Sequence, residues 1–116
     1  MVFHVVLFRP RPDLPAGERA GLVEALETAL QQIPSVRRFH IGRRIRHDAG
    51  YEALMMVDLE YGAVLEFDDL AGLQAYLHHP AHQTLGQRFM PSLASSAIYD
   101  YQMQDGDELR RLAQTE

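Results

Sequence analysis

The chain has 116 residues, a net charge of −5 and no cysteine, lysine or tryptophan. This length suits one domain, the acidic charge argues against nucleic acid as the main partner, and the composition excludes disulfide bonds, thiolate chemistry and lysine Schiff bases. No apolar run approaches the roughly 20 residues that span a bilayer, and no signal-peptide pattern opens the chain, so we expect a cytoplasmic protein.

The first half of the chain predicts a strand, a helix and two more strands. Residues 2–8 are β-branched and aromatic, and both faces of this strand are apolar apart from His4, which indicates a sheet covered on both sides. An amphipathic helix follows and ends near Pro34. Residues 36–45 and 51–59 each alternate as strands, and a loop at 47–50 joins them.

The second half predicts two helices and a last strand. Residues 60–67 fit either a long strand with a glycine bulge, continuous with 51–59, or an extra short strand after a turn, and we favour the bulged strand. Asp68 or Asp69 can cap the first helix, and Pro80 suits the first turn of the second. Residues 97–103 form the last strand, and 105–116 are a polar tail.

This order predicts an α+β fold, with a ferredoxin-like βαββαβ domain over residues 1–104 and an antiparallel sheet. An open sheet of four or five strands with one bare face would expose a large apolar patch. We therefore expect a homodimer in which two sheets pair face to face.

The stretch best suited to chemistry is YLHHPAH, residues 76–82, which holds three of the six histidines. His82 shares a helical stripe with Leu85 and Phe89, so it should point to the apolar side of its helix. With Tyr76 it would abstract a proton from a carbon acid and polarise a carbonyl. The alternative is that His82 is a packing histidine and Tyr76 a core aromatic residue.

The other histidines are weaker candidates. His4 lies among apolar strand residues and needs a hydrogen-bond partner, either towards the same cavity or in a purely structural role. His78 and His79 are consecutive, so one of them should be solvated or capping. His78 and His82 have the spacing of two metal ligands on a helix, but Pro80 interrupts that helix. We predict neither a metal nor a cofactor.

Residues 37–46 hold five arginines: Arg37, Arg38, Arg43, Arg44 and Arg46. They form either an anion-recruiting strand or, as we favour, a solvated face or subunit contact. Charge reversal at Arg43 or Arg44 should be mild if these side chains face water.

HVVLF near the amino terminus, VRRFHIG after the first helix, and AYLHHPAH before the IYDY strand resemble the stress-responsive A/B barrel domain (Dabb) family. The resemblance covers roughly residues 3–101, and the Tyr-x-x-His-Pro-x-His element is its most specific part. It implies a ferredoxin-like protomer and a homodimeric α+β barrel.

Many members of this family have no assigned reaction, but a plant branch comprises cofactor-free polyketide cyclases. The resemblance to that branch implies proton transfer by Tyr76 and His82, with His4 in the pocket. The branch has a tyrosine where this chain has Leu26 and a histidine where it has Ala53. The expected substrate-binding residues are His4, Leu26, Ala53, His79, Leu85 and Phe89.

Two classes of function follow. The first is cofactor-free cyclase, isomerase or lyase chemistry on a small apolar or carbonyl metabolite held between sheet and helices. The second is a non-catalytic dimer that binds a small ligand or has a stress-linked structural role. A cofactor-independent monooxygenase is a lesser alternative, suggested by fold analogy.

Overall fold

Four strands form one antiparallel sheet in the computed structural model, which describes residues 1–114. The strands are β1 (Val2–Pro10), β2 (Arg38–Arg43), β3 (Tyr61–Phe67) and β4 (Leu93–Gln102), in the spatial order β2-β3-β1-β4. Both long strands, β1 and β4, run side by side from Val2 opposite Gln102 to Pro10 opposite Leu93. The predicted α+β, ferredoxin-like fold is confirmed.

The helices are α1 (Ala16–Gln32), α2 (Leu70–His78), α3 (Pro80–Phe89) and α4 (Leu109–Gln114). Short 3₁₀ turns occupy Gly50–Leu54, Met90–Ser92 and Gly106–Glu108. Among residues 1–114, no helix is long and apolar enough to cross a membrane.

One face of the sheet carries the core. Alternate residues of β1, namely Val2, His4, Val6 and Phe8, are buried beneath the helices. They pack with Phe67 of β3 and with α1, α2 and α3. On the other face, Leu7 and Tyr99 are exposed.

The predicted helix boundaries are confirmed where local chemistry specifies them. The Asp69 carboxylate accepts a hydrogen bond from the Gly72 N–H at 2.9 Å and begins α2. Pro80 begins α3, and the His79 ring nitrogen Nδ1 accepts from the Ala81 N–H at 3.0 Å. His79 is therefore the capping member of the histidine pair.

The predicted strand over residues 51–59 is wrong, and so is the favoured long bulged strand. This segment forms a 3₁₀ turn and irregular chain, because the Glu52 carboxylate accepts from the backbone N–H groups of His47 and Ala49. Pairing with β1 starts at Tyr61, and Gly62 lies in regular register opposite Leu7. β3 therefore contains no bulge at this glycine.

Other boundaries differ by a few residues. β1 continues to Pro10, where a register shift accommodates the proline, and β4 begins at Leu93 rather than at 97. β2 covers only Arg38–Arg43 of the predicted 36–45. The tail forms the Gly106–Glu108 turn and α4, and residues 115–116 lie outside the described part. The division into a domain at 1–104 and a tail stays a prediction.

Candidate functional site

Tyr76 and His82 meet at the junction of α2 and α3. Tyr76 lies in the last turns of α2, His82 lies in the first turn of α3, and Pro80 separates the two helices. Their ring centroids are 4.6 Å apart in an edge-to-face arrangement. Tyr76 is 3% exposed and also packs on Phe67, with 5.4 Å between ring centroids. The structure thus brings together the two residues that the sequence singled out.

His4 joins this pair from the sheet. Its ring lies 5.9 Å from that of Tyr76, and its Nδ1 is 2.5 Å from Oδ1 of Asp100, its direct neighbour across β1 and β4. An ionised carboxylate only accepts hydrogen bonds, so Nδ1 carries the proton. This leaves Nε2 as the His4 nitrogen that can accept a proton or bond a ligand.

Asp100 is a site residue that the sequence analysis missed. Its contact with His4 spans 96 residues of the chain and depends on the register of two strands. The available clue is a lone acid between two aromatic residues, Tyr99 and Tyr101, in a strand.

These three rings lie at a cavity of about 260 Å³ between the sheet and the helices. Leu26 of α1, Leu85 and Phe89 of α3, and Phe39 of β2 contribute to its wall. Among the described lining residues, the ionisable ones are His4, Tyr76 and His82, and the rest are apolar or glycine. The cavity is therefore an apolar container with one polar cluster, as small-ligand sites commonly are.

Burial sets the protonation of the cluster. It raises the pKa of Tyr76 to about 12, so this phenol keeps its proton at neutral pH. Burial also lowers the pKa of His82. Coulombic repulsion from His4 when that ring is protonated acts in the same direction, and a hydrogen bond with the Leu77 backbone opposes both effects. His82 is therefore a neutral imidazole at neutral pH, and Tyr76 is a hydrogen-bond donor.

Four predicted site residues besides Tyr76 and His82 line the cavity: His4, Leu26, Leu85 and Phe89. Ala53 does not, because the segment expected to be a strand beside the cavity is instead an exposed turn. His79 does not either, because its ring caps α3.

Three of the five arginines of residues 37–46 form ion pairs outside the cavity, and Arg43 donates a hydrogen bond to the Tyr61 hydroxyl at 2.8 Å. Arg37 pairs with Asp68 at 2.7 Å, and both Arg44 and Arg46 pair with Asp58 at 2.7 Å. Arg44 hydrogen-bonds Asp58 and lowers the pKa of its carboxyl. Across residues 1–114, no group of three or more histidine, aspartate or glutamate side chains is arranged to hold a metal ion.

Solved structures with this fold come from plants and bacteria. A hydroxynitrile lyase from Passiflora edulis is 15% identical, with a TM-score of 0.71 and coverage of 90% of this chain and 94% of the lyase chain. A Dabb family protein with a ferredoxin-like fold from Mesorhizobium loti is 23% identical, with a TM-score of 0.69 and coverage of 90% and 97%. A dimeric ferredoxin-like protein of unknown function from Thermobifida fusca is 22% identical, with a TM-score of 0.67 and coverage of 88% and 90%. At these identities the likeness concerns the fold alone.

No curated protein matches the chain in sequence. The family model of the stress responsive A/B barrel domain matches residues 2–103, which is nearly the whole chain. The chain belongs to the stress responsive A/B barrel domain (Dabb) family.

Proposed function

We propose that this protein binds a small, apolar carbonyl compound and moves a proton on it without a cofactor. The observation that carries the proposal is the meeting of His4, Tyr76 and His82 at an otherwise apolar cavity. The reaction class is that of a cyclase, isomerase or lyase.

The roles follow from protonation. Neutral His82 accepts a proton from the carbon next to the substrate carbonyl, and the C–H electron pair passes into the enolate. The Tyr76 hydroxyl, with its raised pKa, donates a hydrogen bond to the enolate oxygen as charge develops. His4, whose ring Asp100 orients, presents Nε2 to the same space. The protonated His82 then returns its proton to the product.

The proposal is tested in two steps, first by ligand binding and then by exchange of a ligand proton with solvent deuterium. A thermal-shift screen should cover aromatic aldehydes and ketones, 3-oxo acids with their esters, polyketide-like aromatics and, because one relative of this fold is a hydroxynitrile lyase, cyanohydrins. For each stabilising compound that has a C–H bond on the carbon next to its carbonyl, NMR then measures exchange of that proton with deuterium from the solvent. For a stabilising cyanohydrin, which has no carbonyl, NMR measures cleavage to the carbonyl compound and cyanide instead.

We expect the His82→Gln and Tyr76→Phe variants to lose about 10²-fold or more of the exchange rate. The matched controls are His78→Gln and Tyr99→Phe, because His78 and Tyr99 are exposed outside the cavity. Loss of exchange in the controls as well would contradict the assigned roles. If no compound in the screen stabilises the protein, the proposal that the cavity binds such ligands is contradicted.

The second candidate is a non-catalytic binding protein. It is favoured by the place of Tyr76 in the hydrophobic core and by the ring contact between Tyr76 and His82, which is a packing geometry. Compounds that stabilise the protein, with no proton exchange in the wild type, would identify this function.

The proposal includes a homodimer formed through the outer face of the sheet. Leu7, Tyr99 and Tyr101 are exposed on that face, and Phe3 and Val5 are only half-buried. The Thermobifida fusca relative is described as dimeric. Sedimentation of the wild type and of Tyr99→Arg tests the dimer: the variant should be monomeric if this face is the contact.

A further inference from the structure

The connection between β2 and β3, residues 44–60, exposes an unusual number of large apolar side chains. We call this segment the arm. Its exposed members are Ile45, Tyr51, Leu54, Met55, Met56 and Val57, and Met56 is 98% exposed. Contiguous apolar surface of this kind marks an interaction site or an aggregation hazard in a monomer.

The arm is held in place despite this exposure. At its base the Arg44 N–H donates to the Glu60 carbonyl at 2.7 Å, and Arg44 and Arg46 both pair with Asp58. Near its tip Glu52 accepts two backbone hydrogen bonds and closes the 3₁₀ turn. A segment braced by its own polar residues presents its apolar side chains in a fixed arrangement, which lowers the entropic cost of binding.

The arm continues the outer face of the sheet. Leu7, Gly42 and Gly62 belong to that face, and with arm residues such as Met55 and Val57 they line a groove of about 540 Å³. The groove joins apolar side chains of the sheet face to those of the arm, and the charged residues Arg43, Arg44 and Glu52 also line it.

The area of this surface fits a second copy of the chain. At roughly 200 Å² for a fully exposed large side chain, the exposed fractions of the six arm residues with Leu7, Tyr99 and Tyr101 amount to on the order of 1,000 Å². A stable interface needs about 800 Å² per partner. Of the area counted here, Leu7, Tyr99 and Tyr101 contribute about a quarter and the six arm residues contribute about three quarters.

We propose that the arm is part of the dimer contact and that each arm packs on the outer sheet face of the partner protomer. This inference rests on the homodimer given under the proposed function. A two-fold interface repeats every contact, so both arms would be buried at once.

The test compares charged substitutions by sedimentation equilibrium. Leu54→Asp should raise the dimer Kd at least about tenfold. Leu70→Asp is the matched control, because Leu70 is an exposed leucine at the start of α2, outside the arm and outer sheet face. Tyr99→Arg reports separately on the sheet face.

The outcomes separate the two proposals. If Tyr99→Arg dissociates the protein while Leu54→Asp leaves Kd unchanged, the dimer stands and the role of the arm is overturned. A wild type that is monomeric at every concentration overturns both. Amide exchange of residues 44–60 gives a second readout, since their protection should fall when the wild type is diluted below its Kd, and unchanged protection would contradict the inference.

Discussion

The pair formed by His4 and Asp100 gives a sharp stability prediction. His4 is 5% exposed, and the Asp100→Leu substitution leaves its Nδ1 without the carboxylate that holds it. Stranding a buried polar group costs about 1–3 kcal/mol. Because 43% of the Asp100 side chain is exposed and water can replace part of the bond, we expect a loss in the lower half of that range, about 1–2 kcal/mol. With a urea m-value of about 2 kcal/mol/M, the unfolding midpoint should fall by about 0.5–1 M.

Two further variants test whether the loss of stability arises because the partner of Asp100, His4, is buried. Asp100→Asn keeps an oxygen that can accept from Nδ1, so its midpoint should lie between those of the wild type and Asp100→Leu. Asp68→Leu removes a carboxylate from a solvent-exposed partner, Arg37, and should change the midpoint little. Equal midpoints for Asp100→Leu and Asp68→Leu would refute the reasoning.

Four other predictions concern the cavity and the arm. In urea unfolding, Tyr76→Phe should keep nearly the wild-type free energy of unfolding, whereas Tyr76→Ala should lower it by about 3–5 kcal/mol. The pKa of His82 is lowered in the folded protein, so the unfolded chain binds more protons than the folded one as the pH falls below about 6.5. The free energy of unfolding should therefore fall as the pH drops through this range. In His82→Gln, the midpoint of urea unfolding should depend less on pH than in the wild type. Leu26→Trp should occupy part of the cavity and reduce ligand-induced thermal shifts while far-UV circular dichroism stays unchanged. Asp58→Asn should lower the amide protection factors of the arm, that is, the intrinsic exchange rate at each pH divided by the observed rate. Acidification of the wild type should lower the same protection factors, since the lowered pKa of Asp58 means that its stabilising contribution is lost as pH falls.

The sequence predicted those parts of the fold that depend on short-range chemistry. Asp69 and Pro80 specify helix starts through their own side chains, and the alternation of β1 specifies its buried face. The pairing of Tyr76 with His82 was predictable for the same reason, because only five residues, Pro80 among them, lie between the two. Local rules are sufficient where the partner atoms lie within about two helical turns.

Alternation was misleading in residues 51–59. Ala53, Met55 and Val57 repeat every second residue, as in a strand, but a strand also needs a partner for its backbone groups. Glu52 supplies acceptors for two of those groups from its own side chain, and the register of β1 with β3 starts only at Tyr61. The periodicity in this segment therefore describes exposed side chains of the arm rather than a buried face.

The positions of the charged side chains indicate which kind of ligand the cavity favours. All eleven basic residues are arginines, and those of residues 37–46 whose ion pairs are described bind Asp58 and Asp68 at the surface. The described cavity wall has no arginine. The lowered pKa of His82 keeps this imidazole neutral at neutral pH, and the raised pKa of Tyr76 keeps its phenol protonated. A carboxylate entering this space would lose its hydration without gaining a cation, which is unfavourable. A neutral carbonyl loses less and gains a hydrogen bond from Tyr76. The arginine-rich segment therefore does not draw anions to the site, and the reacting part of the ligand is expected to be uncharged.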